Sequence, residues 1–70
     1  MTYEIKTLYQ GKHISGCNSF KGYRKTLKQC ITAAQNYIFA LTDKRIYEVR
    51  VNITSFGKRV YGWKYIPTFR

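Results

Sequence analysis

Tyr47-Glu48-Val49-Arg50-Val51-Asn52-Ile53, answered after a turn by Arg59-Val60-Tyr61-Gly62-Trp63-Lys64-Tyr65-Ile66, is the stretch that decides the fold. In the first run, Tyr47, Val49, Val51 and Ile53 alternate with Ile46, Glu48, Arg50 and Asn52. That period of two sends successive side chains to opposite faces of a strand. Thr54-Ser55-Phe56-Gly57-Lys58 contains the turn, with Gly57 free to take positive φ. Pro67 ends the return strand, since proline has no N–H to give a ladder. Residues 45–67 therefore read as a β-hairpin.

Upstream of the hairpin, residues 19–41 read as one helix. Leu27, Cys30, Ile31, Ala34, Ile38 and Leu41 recur at three- and four-residue spacing and form a single apolar stripe, flanked by Tyr37. Asn18 or Ser19 is the expected N-cap, because either side chain accepts a bond from an orphan backbone N–H. Lys21, Arg24, Lys25 and Lys28 then crowd the start of this helix, against the preference of the helix dipole for negative charge there. Further upstream, Tyr3, Ile5, Thr7 and Tyr9 alternate with Thr2, Glu4, Lys6 and Leu8, which predicts a strand. Gly11 marks a turn, and residues 13–17 read as a short returning strand.

The order of elements is β(β)αββ, with residues 1–70 in a single small domain. The fold class is α+β: an antiparallel sheet of three to four strands with one helix packed across one face to bury the apolar stripe. The other face of such a sheet is left for solvent or a partner. An aromatic content of 17% argues for a folded chain rather than a disordered one.

Charge is the strongest global signal. Thirteen Lys and Arg stand against three acids, Glu4, Asp43 and Glu48, for a net charge of +10 on 70 residues. The excess is shared equally between the two halves of the chain, so it is no tail. Self-repulsion on this scale weakens a small domain and points to a polyanionic partner. Two constellations suit one. The first is the basic helix start, Lys21, Arg24, Lys25 and Lys28, matched to phosphates. The second is the hairpin, with Arg50, Lys58, Arg59 and Lys64 as cations. On alternation, Arg59, Tyr61, Trp63 and Tyr65 share one face and Val60, Gly62, Lys64 and Ile66 the other. If the first set faces out, Tyr61, Trp63 and Tyr65 form a ladder for stacking bases. If it faces in, the same rings pack as core beneath the helix.

Chemistry of its own is not expected. One His and three scattered acids assemble no nucleophile–base pair or paired carboxylates, and no glycine-rich phosphate loop is present. His13, Cys17 and Cys30 match no paired zinc-ligand spacing, and a fourth ligand is missing. No metal, cofactor or small-molecule substrate is expected. Two cysteines do not make a disulfide scaffold, no stretch approaches a membrane span, and residues 1–4 lead into a strand pattern rather than an apolar leader. The expected compartment is the cytoplasm. An exposed terminal strand offers a pairing edge, so the chain is expected as a monomer or homodimer.

Short, rich in Tyr, Ile and Lys, and opening directly on a strand, the chain resembles the small accessory proteins of bacteriophages. Its order of strand, helix and long terminal hairpin is similar to that of some small anti-CRISPR proteins. The resemblance covers element order only, and no motif carries it. It implies an inhibitor that docks on a host nucleic-acid-handling complex such as a CRISPR effector or a polymerase. The charge excludes mimicry of DNA, so such an inhibitor would grip an acidic protein surface or occupy the place of the nucleic acid. The residues themselves lead first to a non-enzymatic protein that binds DNA or RNA through phosphates with little sequence preference.

Overall fold

The computed structural model describes residues 1–10 and 15–67. The turn expected at Gly11 and the residue His13 lie outside them. Four strands and one helix follow in the order ββαββ: β1 Thr2–Gln10, β2 Ser15–Tyr23, α1 Leu27–Phe39, β3 Ile46–Ser55 and β4 Lys58–Tyr65. The strands form one antiparallel sheet in the spatial order β2-β1-β3-β4. The helix packs over the two central strands, β1 and β3. The expected α+β class therefore holds, with four strands.

Alternation explains β1. Tyr3, Ile5 and Thr7 are buried beneath the helix, while Thr2, Glu4 and Lys6 point to the other face. Directly opposite residues of an antiparallel pair share a face, so the register assigns the remaining strands. Ile53, Val51 and Val49 stand opposite Tyr3, Ile5 and Thr7 and complete the floor of the core. Ile5, Val49, Val51 and Ile53 are almost wholly buried, each contributing about 1.5–3 kcal/mol relative to exposure. The roof is made by Cys30 and Ala34, two small residues that let the helix sit close to the sheet. Leu27, Ile31, Ala33, Tyr37 and Ile38 pack around them. Thr7 is buried and polar, and its hydroxyl lies 3.3 Å from the Tyr9 hydroxyl and 3.5 Å from the Asn18 carbonyl.

Four expectations are corrected. The helix begins at Leu27 rather than at 19, and Thr26 caps it in place of Asn18 or Ser19. The Thr26 hydroxyl accepts a hydrogen bond from the Gln29 N–H at 3.2 Å. Residues 18–23 instead continue a nine-residue strand, longer than the short return expected at 13–17, because every residue from Ser15 to Tyr23 pairs with β1. On this strand Phe20 stacks on Tyr37 of the helix at 4.9 Å between ring centroids. Gly22 lies against the Tyr3 ring so closely that a Cβ there would overlap it.

The other two corrections are β-bulges, each an extra residue in one strand of a pair. Leu8 pairs with Glu48 and Tyr9 with Ile46, which leaves Tyr47 as the extra residue. Ile46 thus joins Val49 in the core, and Tyr47 is exposed. Ile53 pairs with Tyr61 and Thr54 with Arg59, which leaves Val60 extra. That bulge separates Arg59 from the face it was expected to share with Tyr61, Trp63 and Tyr65.

Candidate nucleic-acid interface

The sheet face away from the helix carries three of the four hairpin cations, Arg50, Arg59 and Lys64, while Lys58 pairs with Ser55 on the other face. One cross-strand row runs Ser19, Lys6, Arg50, Lys64 from β2 to β4. Lys6 is opposite Arg50, and Arg50 is opposite Lys64, so three cations are direct neighbours on strands about 4.8 Å apart. The next row runs Lys21, Glu4, Asn52, Gly62, and the row at the end runs Tyr23, Thr2, Thr54, Arg59. Arg59 folds back over Gly62, which has no side chain to oppose it. Lys6, Lys21, Arg50, Arg59 and Lys64 therefore share one open face.

Two of the three acids, Glu4 and Glu48, share this face and offset part of its charge, leaving it net positive. Glu4 meets Lys21 across the strands at 3.7 Å, and Glu48 accepts from the Arg50 Nε at 2.6 Å. Asp43 lies elsewhere, in the loop before β3, held by Arg45 at 2.6 Å. Every carboxylate side chain of the protein is thus paired. Lys6, Arg59 and Lys64 have no carboxylate within ion-pair distance among the described residues.

The expected basic helix start is divided among β2, a connection and the helix, although Arg24 and Lys28 still line one shallow cavity. Lys21 belongs to β2 and the open face. Arg24 and Lys25 lie in the connection before the N-cap, and only Lys28 is in the helix, exposed on its first turn. The Arg24 guanidinium donates to the Tyr23 carbonyl at 2.7 Å and stands 5.8 Å from the centroid of the Tyr3 ring. Lys58 opens β4 at the hairpin turn and is exposed. Lys6, absent from the sequence-based set, is the main addition. Its alternation with the buried Tyr3, Ile5 and Thr7 was signal enough to place it on the outer face.

Tyr61, Trp63 and Tyr65 take a position between the two alternatives. They stand opposite Ile53, Val51 and Val49, so they are on the helix side of the sheet. The helix, however, lies mainly over β1 and β3, leaving β4 only partly covered. Tyr61 is 46% and Tyr65 43% exposed, while Trp63 packs against the core. The Tyr61 and Trp63 rings are 5.7 Å apart and, with Ile31 and Gln35, line a shallow cavity of about 210 Å³. The aromatic strip and the cationic face are therefore on opposite sides of β4, an edge strand.

Cys17 is exposed on the open face, while Cys30 is buried on the opposite side of the sheet. No three His, Cys, Asp or Glu side chains gather among the described residues. No described helix is long and apolar enough to cross a membrane. The chain matches no protein-family model, and neither a curated protein nor a solved structure matches it.

Proposed function

We propose that the protein is a non-enzymatic binder of DNA or RNA that grips phosphates on the open face of its sheet with little sequence preference. The observation that carries this reading is the row Lys6, Arg50, Lys64. Like charges directly opposite in a sheet are destabilising, and of the three only Arg50 has a carboxylate partner, Glu48, among the described residues. A polyanion laid across the row neutralises Lys6 and Lys64, competes with Glu48 for Arg50, and releases its own counterions. Arg59 and Lys21 extend the cationic surface on either side. Phosphate contacts fix position without reading sequence, which fits a face that offers cations and small polar groups. The site of action is the cytoplasm, that of the host cell if the chain is phage-encoded.

Fluorescence anisotropy with labelled oligonucleotides at low salt tests the proposal. Binding of unrelated sequences with similar affinity is expected, with loss on the triple substitution K6Q/R50Q/K64Q and little change for K44Q in the loop before β3. Absence of binding at low salt, or equal binding by the triple variant, overturns it.

The half-exposed strip Tyr61-Trp63-Tyr65 favours a second reading. Tyr and Trp at a partly covered surface are the side chains that most often anchor protein interfaces. On that reading the protein is a phage-type inhibitor docked on a host nucleic-acid-handling complex. Capture of a stoichiometric acidic protein from nuclease-treated lysate, lost on W63A, supports it. Loss of all partners on nuclease treatment supports the first reading.

A further inference from the structure

The turn between β3 and β4 holds a side chain that the fold itself does not need. Phe56 and Gly57 are both left-handed, at φ 52° and φ 78°, as a two-residue turn of this hairpin type requires. Glycine, asparagine and aspartate suit the first of these positions. A phenylalanine there forces its Cβ toward the following carbonyl, and its ring is entirely exposed, at 104%. Asparagine would make the same turn without the strain and without apolar surface in water. A strained backbone under an unburied aromatic ring is a reason to look outside the fold for its use.

Phe56 forms one wall of a cleft of about 470 Å³. Tyr23, 65% exposed, and Lys25 also line it, together with Thr2 and Thr54. Thr2 and Thr54 are cross-strand partners on the open face, flanked in the same row by Tyr23 and Arg59. The cleft is thus the end of the cationic face, and a strand bound along that face reaches it. We infer that the cleft receives an unpaired nucleobase of a single-stranded DNA or RNA, with Phe56 and Tyr23 offering ring faces and Lys25 the adjacent phosphate contact. The inference rests on the nucleic-acid reading above and adds to it a preference for single strands. In a duplex the ring faces are already stacked, whereas a single strand can turn a base onto an aromatic side chain. The cationic rim favours this occupant over an apolar peptide.

The test compares F56N with the wild type on a labelled oligothymidylate and on a duplex, with thermal melting alongside. F56N is expected to melt about 4 °C higher or more, as the strain is removed. It is expected to bind the single strand about tenfold more weakly, the effect of losing one stacked base. Duplex affinity and the salt dependence should stay as they were, since every cation remains. Y23S should weaken the single strand in the same way. Unchanged single-strand affinity in F56N overturns the inference while the phosphate-binding reading stands. Equal losses on single strand and duplex also overturn it. A wild type that binds no oligonucleotide at low salt overturns both. If F56N abolishes capture of a protein partner and leaves oligonucleotide binding intact, the cleft serves that protein and the inference fails.

Discussion

The guanidinium of Arg59 lies directly over Gly62, three residues further along the same strand. A Cβ built on Gly62 would stand 2.8 Å from the Arg59 Nη2, 3.0 Å from its Nε and 2.7 Å from the carbonyl oxygen of Val51. The bulge at Val60 brings Arg59 to this side of the sheet, and the missing side chain at Gly62 lets the guanidinium lie flat there.

G62A is therefore expected to destabilise the protein even though alanine is intrinsically better than glycine in a strand. Arg59 can move aside, but the Val51 carbonyl is backbone and cannot. A loss of about 1–3 kcal/mol, the usual range for overpacking, should appear in thermal or urea unfolding. R59A should leave stability nearly unchanged and weaken oligonucleotide binding. A variant G62A as stable as the wild type would show that the sheet yields at this point.

The helix start makes a second prediction. Thr26 accepts from the Gln29 N–H, so T26A should cost about 1 kcal/mol. In a domain of this size that is a fall of about 4–8 °C in melting temperature. S19A, on an exposed strand position, should melt like the wild type. The reverse ranking of the two variants would return the helix start to the earlier site.

Those two residues also mark what could be read from the sequence. The period-two pattern of Tyr3, Ile5 and Thr7 and the stripe through Cys30 and Ala34 place their residues correctly, because each faces one continuous core. The spacing of Thr26 and Gln29 is itself a capping signal in the sequence, and it competes with the one at Asn18 and Ser19. Ser15–Tyr23 is different in kind. Gly16, Asn18, Ser19 and Gly22 favour neither strand nor helix, and the segment is a strand because β1 offers it a complete ladder. The bulges at Tyr47 and Val60 were equally hidden, since a bulge is defined by the partner strand and not by the strand that carries it. One such residue is enough to move Arg59 to the other face. The cations of the candidate site were therefore named largely from sequence, while their assembly on one face depended on register.

The loop before β3 predicts a pH effect. The Arg45 Nε and Nη2 donate to the Asp43 carboxylate at 2.9 and 2.6 Å, and the Arg45 backbone N–H donates to the same carboxylate at 2.9 Å. The guanidinium hydrogen bonds first, and the backbone hydrogen bond second, hold the Asp43 carboxyl down from 3.8 to about 2. Its folded value lies below its unfolded one, so the pair's contribution is complete above about pH 4 and is lost as pH falls toward 2. The pair is exposed, so the effect on stability is small. An NMR titration should place the Asp43 midpoint near 2, and D43N should flatten the acid dependence of unfolding between pH 4 and 2. A midpoint near the ordinary aspartate value would mean that Arg45 does not hold this loop in solution.

The salt dependence of oligonucleotide affinity bears most directly on the cationic face. A binder that works through phosphates loses affinity linearly in log–log salt, with a slope that counts the neutralised phosphates. The wild type should fall steeply. K6Q/R50Q/K64Q should have a slope shallower by about three, one for each phosphate contact removed. Its melting temperature should stay close to that of the wild type, because relief of the opposed like charges offsets loss of the exposed Arg50–Glu48 ion pair. A flat salt response in the wild type, or the same slope in the triple variant, would contradict the assignment of the open sheet face as the phosphate-binding surface.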